Sequence, residues 1–305
     1  MRSVMTLFDL TEAEIKQVFD LAASLKQAYL KGTRQDRFSG RVMALLFEKP
    51  SLRTRVSFEA GFAHLGGTSM YLGSDVGWGH RESVADFSRV LSQYVDVIVC
   101  RGKDHERVEQ LARYASCPVI NGLTDQFHPC QALSDLFTMQ ERFNRLEGLK
   151  LTFVGDANNV ARSLAIASAR RHVRFAIAAP PQYQFDAVFL QRMEETFPDF
   201  HMQITTDPAE AVRGADAVYT DVWTSMGQEH EQQERAVALA PFQVNAELMA
   251  LAPKHAVLMH CLPAHRGEEV TDEAIDSSQS IVVEQAANRM HLQKGLVAWL
   301  LAAAR

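Results

Sequence analysis

Ser51, Arg53 and Thr54 follow directly on an apolar run. Two hydroxyls and a guanidinium at that spacing suit the binding of a phosphate-like dianion. Residues 41–47 (RVMALLF) read as a buried strand, Pro50 interrupts it, and Ser51 stands where a helix over about 53–65 begins. The first backbone N–H groups of a helix lack internal partners and the helix dipole is positive at that end, so an anion is favoured there. Arg53 and Arg55 lie two apart and point to different sides of the helix, so Arg53 is expected to face the ligand while Arg55 pairs elsewhere. The same stretch also suits a plain helix cap with two solvated arginines, and alone it does not separate the two readings. No GxxxxGK[ST] loop occurs, so a nucleoside-triphosphate site of that type is not indicated.

Polar residues recur just after other apolar runs: Arg101; His128 with Gln131; Asn158 and Asn159; Asp221 with Ser225 and Met226; and Cys261 with Leu262. In open parallel sheets ligands sit beyond the carboxyl ends of strands, so these residues are candidates to converge on one cleft. Each also has a structural explanation: Arg101 in a surface ion pair, His128 as a helix cap, Asp221 capping a loop, Cys261 in the core. His260, Cys261 and His265 raise the question of a metal. Alternate strand positions point to opposite faces and no fourth ligand is evident, so no metal is expected. Gly155 lacks the GxGxxG pattern, which argues against a dinucleotide.

The elements that must position these residues alternate. Thr11 with Glu14 forms a capping box that opens an amphipathic helix. Strand candidates follow at 41–47, 68–72, 96–101 and 118–123, separated by helices near 53–65, 83–94 and 105–116, with a further helix at 129–142. The pattern restarts at Lys150 with strands at 150–154, 173–179, 202–206, 216–220, 256–261 and 280–283 and helices at 158–171 and 185–196. The fold class expected is α/β, two doubly wound parallel-sheet (Rossmann-like) domains with the active site in the cleft between them. The first domain is placed at 1–145, completed by a C-terminal helix at 285–305, and the second at 146–284.

The chain has 305 residues, of which 47% are apolar and 22% charged, with a formal net charge of −6. That composition excludes a disordered chain, and no apolar run is long enough for a bilayer. The net charge argues against nucleic acid or an acidic membrane surface as partner, while leaving room for a locally positive anion site. Four scattered cysteines without a CxxC pair suit reduced thiols, and the N-terminal stretch resembles neither a signal nor a transit peptide, so a cytoplasmic location is expected.

Taken jointly, SLRTR at 51–55, HPCQ at 128–131, GDANN at 155–159, DVWTSMG at 221–227, HCLPAHRGEEVTDE at 260–273 and NRMHLQK at 288–294 resemble the aspartate and ornithine carbamoyltransferases, in the family's order and over nearly the whole chain. The resemblance implies that Ser51, Leu52, Arg53, Thr54, Arg101, His128, Gln131 and Arg289 hold carbamoyl phosphate. It implies also that Asn158, Asn159, Asp221, Ser225 and Met226 hold ornithine, and that Cys261 and Leu262 touch both substrates. Arg101, His128 and Cys261 would carry the catalysis. The Ser-Met-Gly loop and His-Cys-Leu-Pro are similar to the ornithine branch rather than the aspartate branch. No cofactor is implied, since carbamoyl phosphate is already activated; a homotrimer, or a multiple of one, is implied, with a loop near 75–82 reaching a neighbouring subunit. A non-catalytic anion-binding member of the fold would lack a strand-end donor, and none is missing. Two departures stand out. Leu52 occupies a position where many members have Thr. No Gln stands in the 73–82 loop, where Trp78 is similar to a tryptophan of enzymes acting on N-acetylornithine or putrescine; these two amines are the alternative acceptors, and the other reading of Trp78 is a subunit-interface residue.

Overall fold

Val42–Phe47 is almost entirely buried and carries no charge, which is what a central strand covered on both faces requires. It is β1 of a four-stranded parallel sheet in the order β2-β1-β3-β4, with β2 at Thr68–Leu72, β3 at Val97–Arg101 and β4 at Val119–Leu123. The second sheet, also parallel, has the order β7-β6-β5-β8-β9: β5 at Lys150–Val154, β6 at Arg174–Ala178, β7 at Gln203–Thr205, β8 at Ala217–Thr220 and β9 at Val257–His260. The structure, a computed structural model, describes residues 2–224 and 229–303. It divides into two compact units, Met1–Phe137 with Ala287–Arg305, and Thr138–Ala286.

The helices start where short polar side chains cap them. Thr11 opens α1 (Glu12–Leu30) by a capping box with Glu14, Ser51 opens α2 (Leu52–Ala63), Ser83 opens α3 (Val84–Tyr94) and Asp104 opens α4 (His105–Tyr114). Then come α5 (Pro129–Phe143), α6 (Asn159–Arg170), α7 (Ala187–Thr196), α8 (Pro208–Val212), α9 (Gln232–Leu239), α10 (Ala246–Leu251), α11 (Asp272–Ile275) and α12 (Val282–Ala303).

The strand expected at 280–283 is not one. Ser280 makes only an isolated bridge to Leu258, after which Gln285 N bonds back to Ile281 O and the chain is already helical from Val282. Three β-branched residues, Ile281, Val282 and Val283, gave the stretch its strand character, but one turn's worth of i→i+4 bonds outweighs that weak preference.

Each sheet reverses its strand order once, between β1 and β3 in the first and between β5 and β8 in the second. Crevices for ligands open beyond the carboxyl ends of strands at such reversals. The residues after β1 and β3 are Ser51–Thr54 and Arg101; those after β5 and β8 are Gly155–Asn159 and Asp221.

Candidate active site

In the first unit the convergence is on one hydroxyl. Thr54 is fully buried in the first turn of α2, and its Oγ1 accepts from Ser51 Oγ (3.2 Å), Arg101 Nη1 (3.4 Å) and Arg289 Nη2 (3.2 Å). Ser51 is the N-cap, accepting from Thr54 N at 3.4 Å. Arg101 ends β3 and Arg289 lies on α12, so two guanidiniums meet at a helix N-terminus, an arrangement that favours a multiply charged anion. His128, directly before α5, is buried beside them. Burial first, then Arg289, then Arg101, hold its imidazole well below the usual 6.5, so it is neutral and can donate one hydrogen bond without adding charge. Gln131, one turn along, gives its Nε2–H to Asp135 (2.8 Å), while its buried Oε1 has no partner among the described residues.

Arg53 and Arg55 have different surroundings. Arg55 pairs with Glu59 (3.1 Å) and lies 4.1 Å from the centroid of the Tyr71 ring, whereas Arg53 has neither ion pair nor hydrogen bond among the described residues. Leu52 is 74% exposed, so only its backbone N–H is available to a ligand at the helix start.

In the second unit a carboxylate takes the central place. Asp221 is buried just after β8; its Oδ2 accepts from Asn158 Nδ2 (2.9 Å) and its Oδ1 from the Cys261 thiol (3.0 Å). Asn158 is also the N-cap of α6, its Oδ1 accepting from Val160 N (2.9 Å) and Ala161 N (3.1 Å), so its amide is committed at both ends. Asn159 opens α6 alongside it, half-buried. Cys261 is the one partly exposed cysteine. Burial pushes the thiols of Cys117 and Cys130 up to about 12 and that of Cys100 well above its usual range, which leaves those three inert.

The Cys261-Leu262 step is fixed from behind by residues that sequence reasoning did not assign. His260 Nε2 and Glu269 Oε1 are 3.1 Å apart and both side chains are fully buried; Leu262 N donates to His260 Nδ1 at 2.8 Å. Since Nδ1 accepts, the proton sits on Nε2 and points at Glu269. Leu262 has a left-handed backbone with φ 56°, and the Leu262–Pro263 peptide is cis. Asp221, His260 and Cys261 bring ligand atoms within 4.8 Å of one another. Both ring nitrogens of His260 are already engaged, however, so this group is poorly suited to a metal. Arg235 on α9 was also missed: it bonds Asp156 (2.8 Å), Glu231 (2.8 Å) and the Trp223 carbonyl (3.2 Å). Burial raises the Asp156 carboxyl to about 6 in spite of Arg235. No local signal marks the Arg235–Asp156 pair, because its members lie 79 residues apart along the chain. Ser225 and Met226 lie outside the described residues.

The pairing of these two residue sets in one chain has known counterparts. Residues 2–141 match the family model described as "Aspartate/ornithine carbamoyltransferase, carbamoyl-P binding domain", and residues 147–300 match that family's "Asp/Orn binding domain". This chain belongs to the aspartate/ornithine carbamoyltransferase family. Among its relatives in that family are the ornithine carbamoyltransferase of Anoxybacillus flavithermus, 48% identical over 98% of this chain and 96% of the other. That of Bacillus subtilis is 47% identical over 98% and 94%. The solved ornithine carbamoyltransferase of Pyrococcus furiosus superposes with a TM-score of 0.95 at 45% identity, covering 99% of this chain and 97% of that one. The anabolic ornithine carbamoyltransferase of Campylobacter jejuni, at 33% identity, gives a TM-score of 0.92 with both chains fully covered.

Family membership bears on Trp78. Its ring is 4% exposed and packs in the first unit's core with Ala44, Leu46, Ile98 and Val108. Within its own unit the Trp78 side chain is part of the core rather than an exposed surface residue. Indole is large and apolar, and beside Gly102, where no Cβ intervenes, it fits inside its own unit.

Proposed function

We propose that this protein is an ornithine carbamoyltransferase: it moves the carbamoyl group of carbamoyl phosphate to the side-chain amine of L-ornithine, giving L-citrulline and phosphate, in arginine biosynthesis. The observation that carries the acceptor is the buried Asp221 carboxylate, held between the Asn158 amide and the Cys261 thiol. A carboxylate so placed attracts the cationic α-ammonium of ornithine and gains little from an acylated amide nitrogen. We assign carbamoyl-phosphate binding to 1–145 with 285–305, and ornithine binding to 146–284.

The reaction needs no enzyme nucleophile. Carbamoyl phosphate is a mixed anhydride; the neutral amine attacks its carbonyl carbon, the C–N bond forms, and the C–O bond breaks with its electron pair leaving on phosphate. The amine's proton ends on phosphate in the overall balance. Thr54, Arg101 and the neutral His128 serve the carbonyl oxygen, on which charge develops. Ser51, Arg53, Arg289 and the N-terminal N–H groups of α2, that of Leu52 included, serve the leaving phosphate, and Gln131 the carbamoyl amide. Such donors act mainly in the transition state. Asn159 with Ser225 and Met226 complete the amino-acid site around Asp221. Cys261, with Leu262 held by His260, positions the amine, and would receive its proton only as the thiolate. We also assign a cytoplasmic location and a homotrimer, or a multiple of one; no helix among the described residues is long and apolar enough to cross a membrane.

An acceptor screen with labelled carbamoyl phosphate tests the reading. L-ornithine is expected to exceed N-acetylornithine and putrescine by at least about tenfold in kcat/KM, equivalent to roughly 1.4 kcal/mol of transition-state binding. Citrulline formation is expected to collapse in Asp221→Ala. Equal turnover of either competitor would overturn ornithine as acceptor while leaving carbamoyl transfer in place.

A further inference from the structure

Arg101 and His128 serve one oxygen but arrive on different segments, the first as the last residue of β3 and the second directly before α5. Strand pairing does not fix the distance between them. β3 and β4 pair Cys100 with Asn121 and then Arg101 with Leu123, so Gly122 is an extra residue, a bulge of the kind that re-aims side chains beside active sites. After Leu123 the strand ends.

Beyond the strands the two segments are joined by four hydrogen bonds. Gly102 N donates to Leu123 O (3.1 Å), Asp125 N to Lys103 O (3.1 Å) and His105 N to Asp125 Oδ1 (3.1 Å). The fourth is made by a side chain: Nδ1 of His105, in the first turn of α4 and 5% exposed, lies 2.9 Å from Thr124 Oγ1. A hydroxyl both gives and accepts, so this bond forms with either tautomer of the neutral ring and with the imidazolium. Nε2 faces the Glu109 carboxylate at 3.5 Å.

Thr124 is fully buried and closes a turn on Phe127: its hydroxyl accepts from Phe127 N (3.2 Å), while its own N–H donates to Phe127 O (2.9 Å). Phe127 precedes His128 and meets the His105 ring edge to face, with centroids 5.0 Å apart and planes at 64°. His105 thus touches both ends of the turn. A longer bond from Asn121 Nδ2 to Phe127 O (3.4 Å) adds support from β4.

We propose that His105 is a positioning residue for the transfer: through Thr124 and Phe127 it sets the His128 imidazole against the Arg101 guanidinium. It touches no reacting atom. Donors aimed at the oxygen that gains charge act in the transition state, and a misplacement of about 1 Å costs up to ~100-fold there. This role rests on the assignment of Arg101 and His128 to the carbonyl oxygen proposed above.

Four variants separate positioning from plain stability. His105→Phe keeps a ring beside Phe127 but removes the bond and the contact with Glu109, and Thr124→Val removes the bond alone. His105→Asn and Thr124→Ser each keep a polar atom at the same place. The expected result is a roughly tenfold lower kcat in His105→Phe and in Thr124→Val, with the KM for carbamoyl phosphate within about twofold of the parent. His105→Asn and Thr124→Ser restore most of the loss. The double variant, His105→Phe with Thr124→Val, is no slower than the slower single one, because both remove one bond. Histidine-labelled protein gives a second readout that needs no turnover. The His128 imidazole signal, assigned by its loss in His128→Asn, is expected to move in Thr124→Val and to return in Thr124→Ser. Lower melting temperatures with parent-like kcat and an unmoved His128 signal would mean that the cluster only stabilises the fold, and would overturn the positioning role. So would losses that multiply in the double variant, a loss confined to KM, or a kcat as low in Thr124→Ser as in Thr124→Val. A moved His128 signal with parent-like kcat supports the positioning and overturns the place of His128 on the carbonyl oxygen. Should His105→Phe prevent folding, the two Thr124 variants decide by the same readouts.

Discussion

Thr54 carries no charge, yet Ser51, Arg101 and Arg289 all direct hydrogen bonds to its hydroxyl, and that gathering puts two guanidiniums at one helix N-terminus. Removing either a buried or a half-buried guanidinium from such a site removes a charge-assisted donor. Arg101→Ala and Arg53→Ala are each expected to weaken carbamoyl-phosphate binding by at least about tenfold, consistent with the ~1.5–3 kcal/mol of a hydrogen bond to a charged group. Isothermal titration reads this directly, and parent-like affinity in either variant would displace the proposed phosphate site. Histidines supply a second residue-scale expectation. Burial first, then Lys294, Lys26 and His64, push His291 down to about 3, and His128 is likewise held well below 6.5. The unfolded chain binds protons at both imidazoles once pH drops below about 6.5, while the folded chain does not. Their contribution to stability is thus fully present above pH 6.5 and is lost as pH falls from 6.5 toward 3. Melting temperatures measured across that window should decline less steeply in His291→Asn than in the parent; parallel curves would count against this account.

At the scale of elements, the approach of α12 to α1 depends on one missing side chain. A Cβ on Gly295 would stand 2.7 Å from Val18 O and 2.8 Å from Ala22 N, and both are backbone atoms that cannot rotate away. Alanine in a helix interior gains up to about 1 kcal/mol over glycine, but overpacking costs typically ~1–3 kcal/mol. Gly295→Ala is therefore expected to be a net loss, seen as a lower urea midpoint with an unchanged slope; a raised midpoint would mean the two helices separate freely. Capping made the starts of α1 and α2 legible in advance, because Thr11 and Ser51 act on the next three residues only. The short helices α8 to α11 were not foreseen, since four to eight residues are too few for a period to show.

For the whole molecule, light scattering is expected to report a trimer or a multiple of one. The loop 75–82 leaves Asp75, His80, Arg81 and Glu82 exposed while Trp78 anchors it in the core, so it can present polar groups to a second copy without losing its own shape. A fully active monomer would refute a shared site. The sequence by itself determined the alternation of strands and helices, hence two parallel α/β sheets, and the helix start capped by Ser51. It determined the family too, through six motifs in order. These are carried by local rules: side-chain period, helix caps, and residue types within a few positions. Tertiary structure alone decided which distant groups share a bond. Thr54 and Arg289 are 235 residues apart, Asp156 and Arg235 are 79 apart, and the Trp78 indole had no sequence mark of its burial. Such contacts are set by how strands order and helices pack, so no window along the chain contains both partners.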